Sequence, residues 1–211
     1  MNETYRFIKK YYFKYSIHIV DHFHIIKLFT DAIQKIRIKI MKDYPTDSKQ
    51  YKYLKKYWKL FLKNRFDLKD NIFVNKKTGV VYYTLDSIDM VLKAFPDLYE
   101  VYWAKEDFSS LMLKLHDYDE TKIMIDFFIN KFSKSTVKEL NHIASTFRNW
   151  YQEIINAYSK NTTGLVLTNA MAESNNNYIQ TLINIGYGFS NFNRLRKRLL
   201  YMSSNKNRNR N

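Results

Sequence analysis

The sequence predicts a mostly α-helical fold with a small α/β part. Only 4 Gly and 2 Pro occur among 211 residues, so few residues are available to interrupt helices. Apolar side chains recur every three to four residues over long stretches, which is the spacing of one helix face. Residues 16–20 depart from that spacing, because they are β-branched and begin with an alternating pattern, and they predict a buried strand that ends at Asp21.

Predicted helices follow one another along most of the chain. The first covers residues 2–15, and a long one runs from Phe23 to about Tyr44, where Pro45 stops it. Asp47 can cap the next helix, which has an apolar face and lysines on the rest of its surface. Further helices are expected over residues 85–95, 98–115, 118–132 and 136–158, from Thr168 or Asn169 to Gly186, and over residues 191–202, with a loop at residues 75–79.

Composition indicates a basic protein with an anionic partner. The formal net charge of +15 attracts polyanions, and nucleic acid is the first partner to consider, although an AT-rich coding sequence gives a similar composition. The absence of Cys excludes disulfide scaffolds, thiolate zinc sites and cysteine nucleophiles. Neither a leader-like apolar stretch nor a run of membrane-spanning length occurs, so we expect no membrane partner and a cytoplasmic location.

Several short motifs stand in one order along the chain. The first, VDHFHI at residues 20–25, is followed by Ala32, Lys35 and Arg37 and then by YWKLFLK at residues 57–63. These stretches are similar to V-D-x-F-H-[IV], A-L-x-K-x-R and Y-W-K-L-L-L-K, three motifs that one family of enzymes carries in the same order. A set of ordered motifs is far more specific than any one of them.

Two more motifs complete the resemblance. NAMAESNNN at residues 169–177 is similar to N-G-x-x-E-G-x-N-N, and YGFSNF at residues 187–192, followed by Arg196 and Arg198, is similar to Y-G-[FY]-R-N-F and R-x-R. Together the five stretches resemble the DDE-type bacterial transposases of ISL-three insertion sequences. The resemblance implies DNA transposition by metal-dependent phosphodiester cleavage and joining, with DNA at insertion-sequence ends as the partner and the nucleoid as the location when bound.

The resemblance also implies a fold and an active site. The fold is an RNase H-like catalytic core interrupted by a large α-helical insertion, and the helical spacing predicts such an insertion independently. Asp21 and Glu173 match the second and third acids of the DDE triad and would bind Mg²⁺ or Mn²⁺, with Asp21 bridging two ions and Glu173 binding one. Basic residues that could contact DNA are Lys27, Lys35, Arg37, Arg194, Arg196 and Arg198.

Four segments are expected from this comparison. Residues 1–22 would be the N-terminal remnant of the core, residues 23–162 the helical insertion, residues 163–202 the C-terminal part of the core, and residues 203–211 a disordered basic tail.

The start of the chain departs from the family pattern. In the family, residues like M-N-x-x-Y follow the first catalytic aspartate, and Met1-Asn2-Glu3-Thr4-Tyr5 matches that continuation from its first residue. We therefore expect a truncated transposase with an incomplete core, inactive alone because the first acid is missing. Without its neighbouring strands, the strand at residues 16–20 would expose a buried edge, which favours self-association. Behind Glu173, the family's basic run is replaced by neutral residues, which suggests a decaying copy.

Simpler interpretations stand beside these. Asp21 alone could be a cap or a surface acid, and Glu173 alone could be an ordinary first-turn helix glutamate. His22 and His24 could bind metal, but without a third ligand a structural role is more usual, and His24 matches a family position whose role does not follow from the sequence. As a whole, the chain could also be a non-enzymatic helical module that binds nucleic acid.

Aromatic residues among lysines offer one further alternative. The side chains of Tyr51, Tyr53, Tyr57 and Trp58 could stack on bases. Their helical spacing favours packing into the core instead.

Overall fold

The computed structural model describes residues 3–74, 79, 81–112, 116–160, 170–185 and 191–208. Two compact units divide the chain, Met1–Leu167 and Thr168–Asn211. Helices dominate both units, which confirms the prediction of a mostly α-helical fold.

The helices of the first unit follow one another from Thr4 to Tyr158. Their bounds are α1 Thr4–Tyr12, α2 His22–Lys42, α3 Lys49–Lys56, α4 Trp58–Leu62, α5 Thr84–Ala94, α6 Pro96–Met112, α7 Tyr118–Ser133, α8 Lys138–Asn149 and α9 Tyr151–Tyr158. A single 3-10 turn covers Arg65–Asp67.

The core of this unit is a cluster of phenylalanine rings around α2. Phe29 lies 5.2 Å from Phe108 of α6, 5.7 Å from Phe132 of α7 and 6.2 Å from Phe147 of α8, measured between ring centroids. All four side chains are buried. Because aromatic pairs at these separations add to the gain from burying apolar area, the cluster holds four helices around one centre.

A buried ion pair fixes α6 against the segment that follows α4. Lys105 is fully buried, and its Nζ lies 2.8 Å from Oε1 of Glu106. The same Nζ donates to the carbonyl oxygens of Phe61 and Lys63, and the backbone N–H of Arg65 donates to Oε2 of Glu106 at 3.0 Å. Each buried charge therefore has polar partners, as burial requires.

Two predicted helices are each divided in two. The helix expected after Asp47 forms α3 and α4, which meet at Tyr57, and its N-cap is Ser48 instead of Asp47. Residues 136–158 form α8 and α9, which are separated at Trp150, where φ is −113° and ψ is 28°. The Trp150 ring is buried, and the Arg6 guanidinium lies 4.0 Å from its centroid. Periodicity along α8 and α9 could not show this break, because the contact with Arg6 comes from a residue 144 positions away in the sequence.

The strand predicted at residues 16–20 is not formed. Residues 17–20 are not assigned to any strand, and the N–H of Val20 donates to the carbonyl oxygen of Glu153 in α9 at 3.2 Å. The backbone of this segment therefore pairs with helix α9 instead of with a neighbouring strand. Within the described residues the sheet structure is a two-stranded antiparallel hairpin, β1 Ile72–Val74 and β2 Val81–Tyr83, which the sequence pattern did not predict.

The hairpin connection includes Gly79, whose φ of +69° lies in the left-handed region that favours glycine. Of the predicted loop at residues 75–79, residues 75–78 lie outside the described part of the chain.

The second unit contains α10 Ala170–Ile185 and α11 Phe192–Arg208. The predicted N-cap at Thr168 or Asn169 and the predicted break at residues 186–188 lie outside the described residues. Helix α11 continues six residues beyond its predicted end at Met202, and no Gly or Pro stands in that stretch to stop it.

Candidate active site

Asp21 caps the N-terminus of α2. Its backbone is extended, and its Oδ1 accepts a hydrogen bond from the N–H of Phe23 at 3.0 Å, as an N-cap aspartate does. The side chain is half-buried, and Oδ2 has no hydrogen-bond partner among the described residues. One carboxylate oxygen is therefore used by the helix, and the other makes no hydrogen bond within the described part of the chain.

Helix α9 holds the segment that carries Asp21. Besides the bond from Val20, Nδ2 of Asn156 donates to the carbonyl oxygen of His18 at 3.0 Å. Nε2 of His22 lies 2.7 Å from the carbonyl oxygen of Ala157, and a carbonyl can only accept, so this nitrogen carries the proton. The His22 ring also stacks on Tyr158, with centroids 4.1 Å apart and planes within 11°. We call this set of contacts the α9 clamp.

Tyr158, a member of the α9 clamp, interacts electrostatically with Asp21. Burial raises the pKa of the Tyr158 phenol far above its ordinary value, and the negative charge of Asp21 raises it further. The phenol therefore stays neutral near physiological pH, and the aspartate lies close enough to interact with it electrostatically.

A second group of contacts joins α1 and the segment before Asp21 to α9. Arg6 of α1 donates two hydrogen bonds to Glu153 of α9, from Nε to Oε1 at 2.7 Å and from Nη2 to Oε2 at 3.1 Å. Nδ1 of His18 lies 3.6 Å from Oε1 of Glu153, and these three residues line a cleft of about 330 Å³. Because the two ends of the pair are 147 positions apart, nothing in the sequence pattern pointed to it.

Burial and neighbouring charges shift the pKa values of Glu153 and His18 in opposite directions at this cleft. Burial raises the pKa of Glu153, but the hydrogen bonds and positive charge of Arg6 lower it by more, so its pKa lies below the ordinary value. For His18, burial lowers the pKa and outweighs the opposing effect of Glu153. Both shifts favour the deprotonated side chain in the folded protein.

Glu173 lies in the first turn of α10, in the second unit. The position of its carboxylate lies outside what the structure describes, so its approach to Asp21 stays a prediction. Within the described residues, no group of three or more His, Asp or Glu side chains is arranged to hold a metal ion.

His22 and His24 differ in surroundings. His22 belongs to the α9 clamp, which supports the structural interpretation of this residue. His24 is exposed, with its ring 5.8 Å from the Phe23 ring.

The candidate DNA-binding residues fall into two groups. Lys27, Lys35, Arg194, Arg196 and Arg198 are exposed. Lys27 forms an ion pair with an aspartate one turn later in α2 at 2.7 Å, and Lys35 forms one with a glutamate of α8 at 3.1 Å.

Arg37 is different, because its side chain is turned into the protein. Only 8% of the residue is exposed, its Nε donates to Gln34 at 2.7 Å, and its Nη1 donates to the carbonyl oxygen of Leu54 at 3.2 Å. These contacts tie α2 to α3 and favour a packing role over a contact with phosphate.

The family of the chain follows from comparison with known proteins. A family model described as a transposase, of the DDE type found in ISL-three insertion sequences, matches residues 1–199. The chain therefore belongs to this family, whose function is DNA transposition and whose members generally use divalent metal ions. A comparison with curated proteins returned no match, and neither did a comparison with solved structures.

Over the described part of the chain, no helix is both long enough and apolar enough to cross a bilayer.

Proposed function

We propose that Asp21 and Glu173 are the second and third acids of a DDE active site for DNA strand transfer at insertion-sequence ends. The proposal places them at opposite ends of a helical insertion in an RNase H-like core. The observation that carries it is the family match over residues 1–199, a range that includes both residues. Their assignment to the second and third acids comes from the motif resemblance in the sequence. Further support comes from Oδ2 of Asp21, which accepts no hydrogen bond from the described residues and lies at the start of α2, beside the α9 clamp.

The chemistry of the donors fits a divalent ion. Mg²⁺ and Mn²⁺ prefer hard carboxylate oxygens, and such ions, when bound, stabilise the attacking and leaving oxygens of a phosphodiester displacement. Asp21 and Glu173 supply two carboxylates. Helix α2 fixes the orientation of Asp21 through its N-cap bond, and the α9 clamp restrains the backbone on both sides of it.

The exposed basic residues would neutralise phosphate charge near this site. We assign that role to Lys27, Lys35, Arg194, Arg196 and Arg198. Arg37 is left out, because its guanidinium is buried against α3. Two carboxylates hold a divalent ion less tightly than a larger set of oxygen ligands, so Asp21 and Glu173 by themselves should bind the ion weakly.

Binding of Mn²⁺ tests the proposal without requiring activity. Asp21→Asn keeps a good N-cap but removes the charge, so it separates ion binding from folding. Electron paramagnetic resonance titration should show weak Mn²⁺ binding that is reduced at least tenfold by Asp21→Asn and by Glu173→Gln. The control Asp31→Asn, in an exposed position of the same helix, should leave binding unchanged.

Two results would overturn the assignment. One is Mn²⁺ binding that neither substitution alters, and the other is Mg²⁺-dependent nicking of DNA that survives both. If the chain bound DNA with a steep dependence on salt and bound no Mn²⁺, the non-enzymatic alternative would replace the proposal.

A further inference from the structure

We infer that one face of the first unit binds single-stranded DNA. The face is formed by α3 and the hairpin, with Met90 of α5 at its edge. Its central residues are Tyr53, Lys56, Phe73 and Tyr82, and we call it the α3–hairpin face. DNA as the partner rests on the proposed function, but the surface itself uses neither Asp21 nor Glu173.

The hairpin presents aromatic rings to solvent. Phe73 and Tyr82 are directly opposite each other across the two strands, so their side chains emerge on the same side of the hairpin. They are 47% and 41% exposed, and every other residue of both strands is exposed as well. A contiguous apolar surface of this kind, in an element of only two short strands, is typical of an interaction site.

A cleft separates the hairpin from α3. Its volume is about 300 Å³, and Tyr53, Phe73, Tyr82 and Met90 are among the side chains that line it. The ring of Tyr53 lies 5.9 Å from that of Tyr57, with planes within 12°, so the α3 side of the cleft carries parallel rings. Tyr53 is half-buried and Tyr57 is buried, so the rings that a planar base can reach and stack on are those of Phe73 and Tyr82.

The segment that contains α3 and the hairpin is strongly basic. Residues 49–83 contain nine Lys and one Arg against two Asp, a net charge of +8 out of +15 for the whole chain. The lysines at positions 49, 52, 55, 56 and 59 are exposed, and none forms an ion pair within the described part of the chain.

Lys56 places a positive charge beside the aromatic rings of Tyr57 and Phe73. Its Nζ lies 5.0 Å from the ring centroid of Tyr57 and 5.8 Å from that of Phe73. A cation beside aromatic rings can hold a phosphate while the neighbouring base stacks, which is how sites for single-stranded nucleic acid combine the two interactions.

The same features argue against other occupants. In a duplex the base faces are stacked on each other and cannot reach Phe73 or Tyr82, so a duplex would use the lysines alone. A second copy of the chain would bring an equal concentration of positive charge to the face and would be repelled.

Fluorescence anisotropy with a labelled thymidine 20-mer tests the inference. The titration uses the full chain in EDTA, so ion binding at Asp21 or Glu173 does not affect it. Phe73→Ala and Tyr82→Ala should each weaken single-strand binding by roughly 5- to 150-fold, since base stacking contributes that much per base. Binding to a duplex that contains the same strand should change less than twofold.

Matched controls distinguish the face from general charge. Phe66→Ala removes a ring that is 88% exposed but lies outside the face, and it should leave single-strand binding unchanged. Lys56→Gln should reduce the slope of log affinity against log salt by about 0.7, whereas Lys134→Gln, at an exposed helix end, should not.

Equal losses for Phe66→Ala and Phe73→Ala would overturn the inference, as would equal losses for single strand and duplex. Sedimentation without DNA provides the remaining test. If Phe73→Ala converted a dimer to a monomer, the face would be a protein interface and the inference would be wrong.

Discussion

Substitution of His22 tests whether the α9 clamp holds the segment around Asp21. The wild-type side chain makes two separable contacts, the hydrogen bond from Nε2 to Ala157 and the stack on Tyr158. His22→Ala removes both, and His22→Phe keeps a ring but removes the donor.

The expected magnitudes follow from these contacts. A hydrogen bond contributes about 0.5–1.5 kcal/mol. A stacked aromatic pair contributes about the same again. His22→Ala should therefore lower the free energy of unfolding by about 1–3 kcal/mol, and His22→Phe by about 1 kcal/mol.

Urea denaturation measures these differences. Amide hydrogen exchange at Phe23 should accelerate in the same order, because its N–H donates to Asp21 at the start of α2. His142→Ala is the matched control, since His142 is exposed on α8, and it should change stability by less than about 0.5 kcal/mol. If His22→Ala behaved like this control, the clamp would not restrain Asp21.

Three further predictions concern the first unit. Phe29→Ala empties the centre of the ring cluster and should lower the free energy of unfolding by about 3–5 kcal/mol in urea titrations; a loss below 1 kcal/mol would contradict the packing. The pKa values of His18 and Glu153 are lower in the folded protein than in the unfolded chain, so the unfolded chain takes up protons first as the pH falls. The stability that each side chain contributes is therefore complete above pH 6.5 for His18 and above pH 4.5 for Glu153, and it falls as the pH drops below that value. Glu153→Gln should flatten the acid limb below pH 4.5 in a stability profile, and an unchanged limb would exclude this carboxylate. Lys105→Met should cost about 3–5 kcal/mol by leaving the Glu106 charge buried alone, and adding Glu106→Gln should restore part of the loss, as a double-mutant cycle would show.

The sequence could predict the helix α2 because its apolar spacing is strong and local. The three-to-four spacing of apolar residues predicts one buried face that includes Phe23, Phe29, Ile33 and Ile36. Phe29, Ile33 and Ile36 are buried, and the observed bounds lie within two residues of the predicted ones. Phe23 is instead 66% exposed, and Ile25 is buried in its place. At the first turn of α2, contacts with the α9 clamp set which side chains face the core. The α9 residues of the clamp lie far from this turn in the sequence, so local spacing does not show them.

Features that depend on distant contacts could not be predicted. The segment at residues 16–20 has a strand-like composition, but its partner is a helix, and no local pattern identifies Glu153 or Asn156 as that partner. The burial of Arg37 depends on the carbonyl oxygen of Leu54, which a sequence motif does not show. The family motifs, by contrast, are preserved in residue order, and from them the membership was predicted and then confirmed.

The role of Asp21 was predicted by resemblance, and its local geometry adds a second use for the side chain. As an N-cap it stabilises α2 whether or not it binds an ion. Loss of function in an alanine variant would therefore not separate the two uses, and the asparagine variant does.

Paramagnetic broadening by Mn²⁺ tests most directly whether Asp21 and Glu173 share an ion. In a nuclear magnetic resonance spectrum, substoichiometric Mn²⁺ should broaden the amide signals of Phe23 and Ser174 together, and Asp21→Asn should abolish both effects. Broadening near one acid with sharp signals near the other would contradict the shared site.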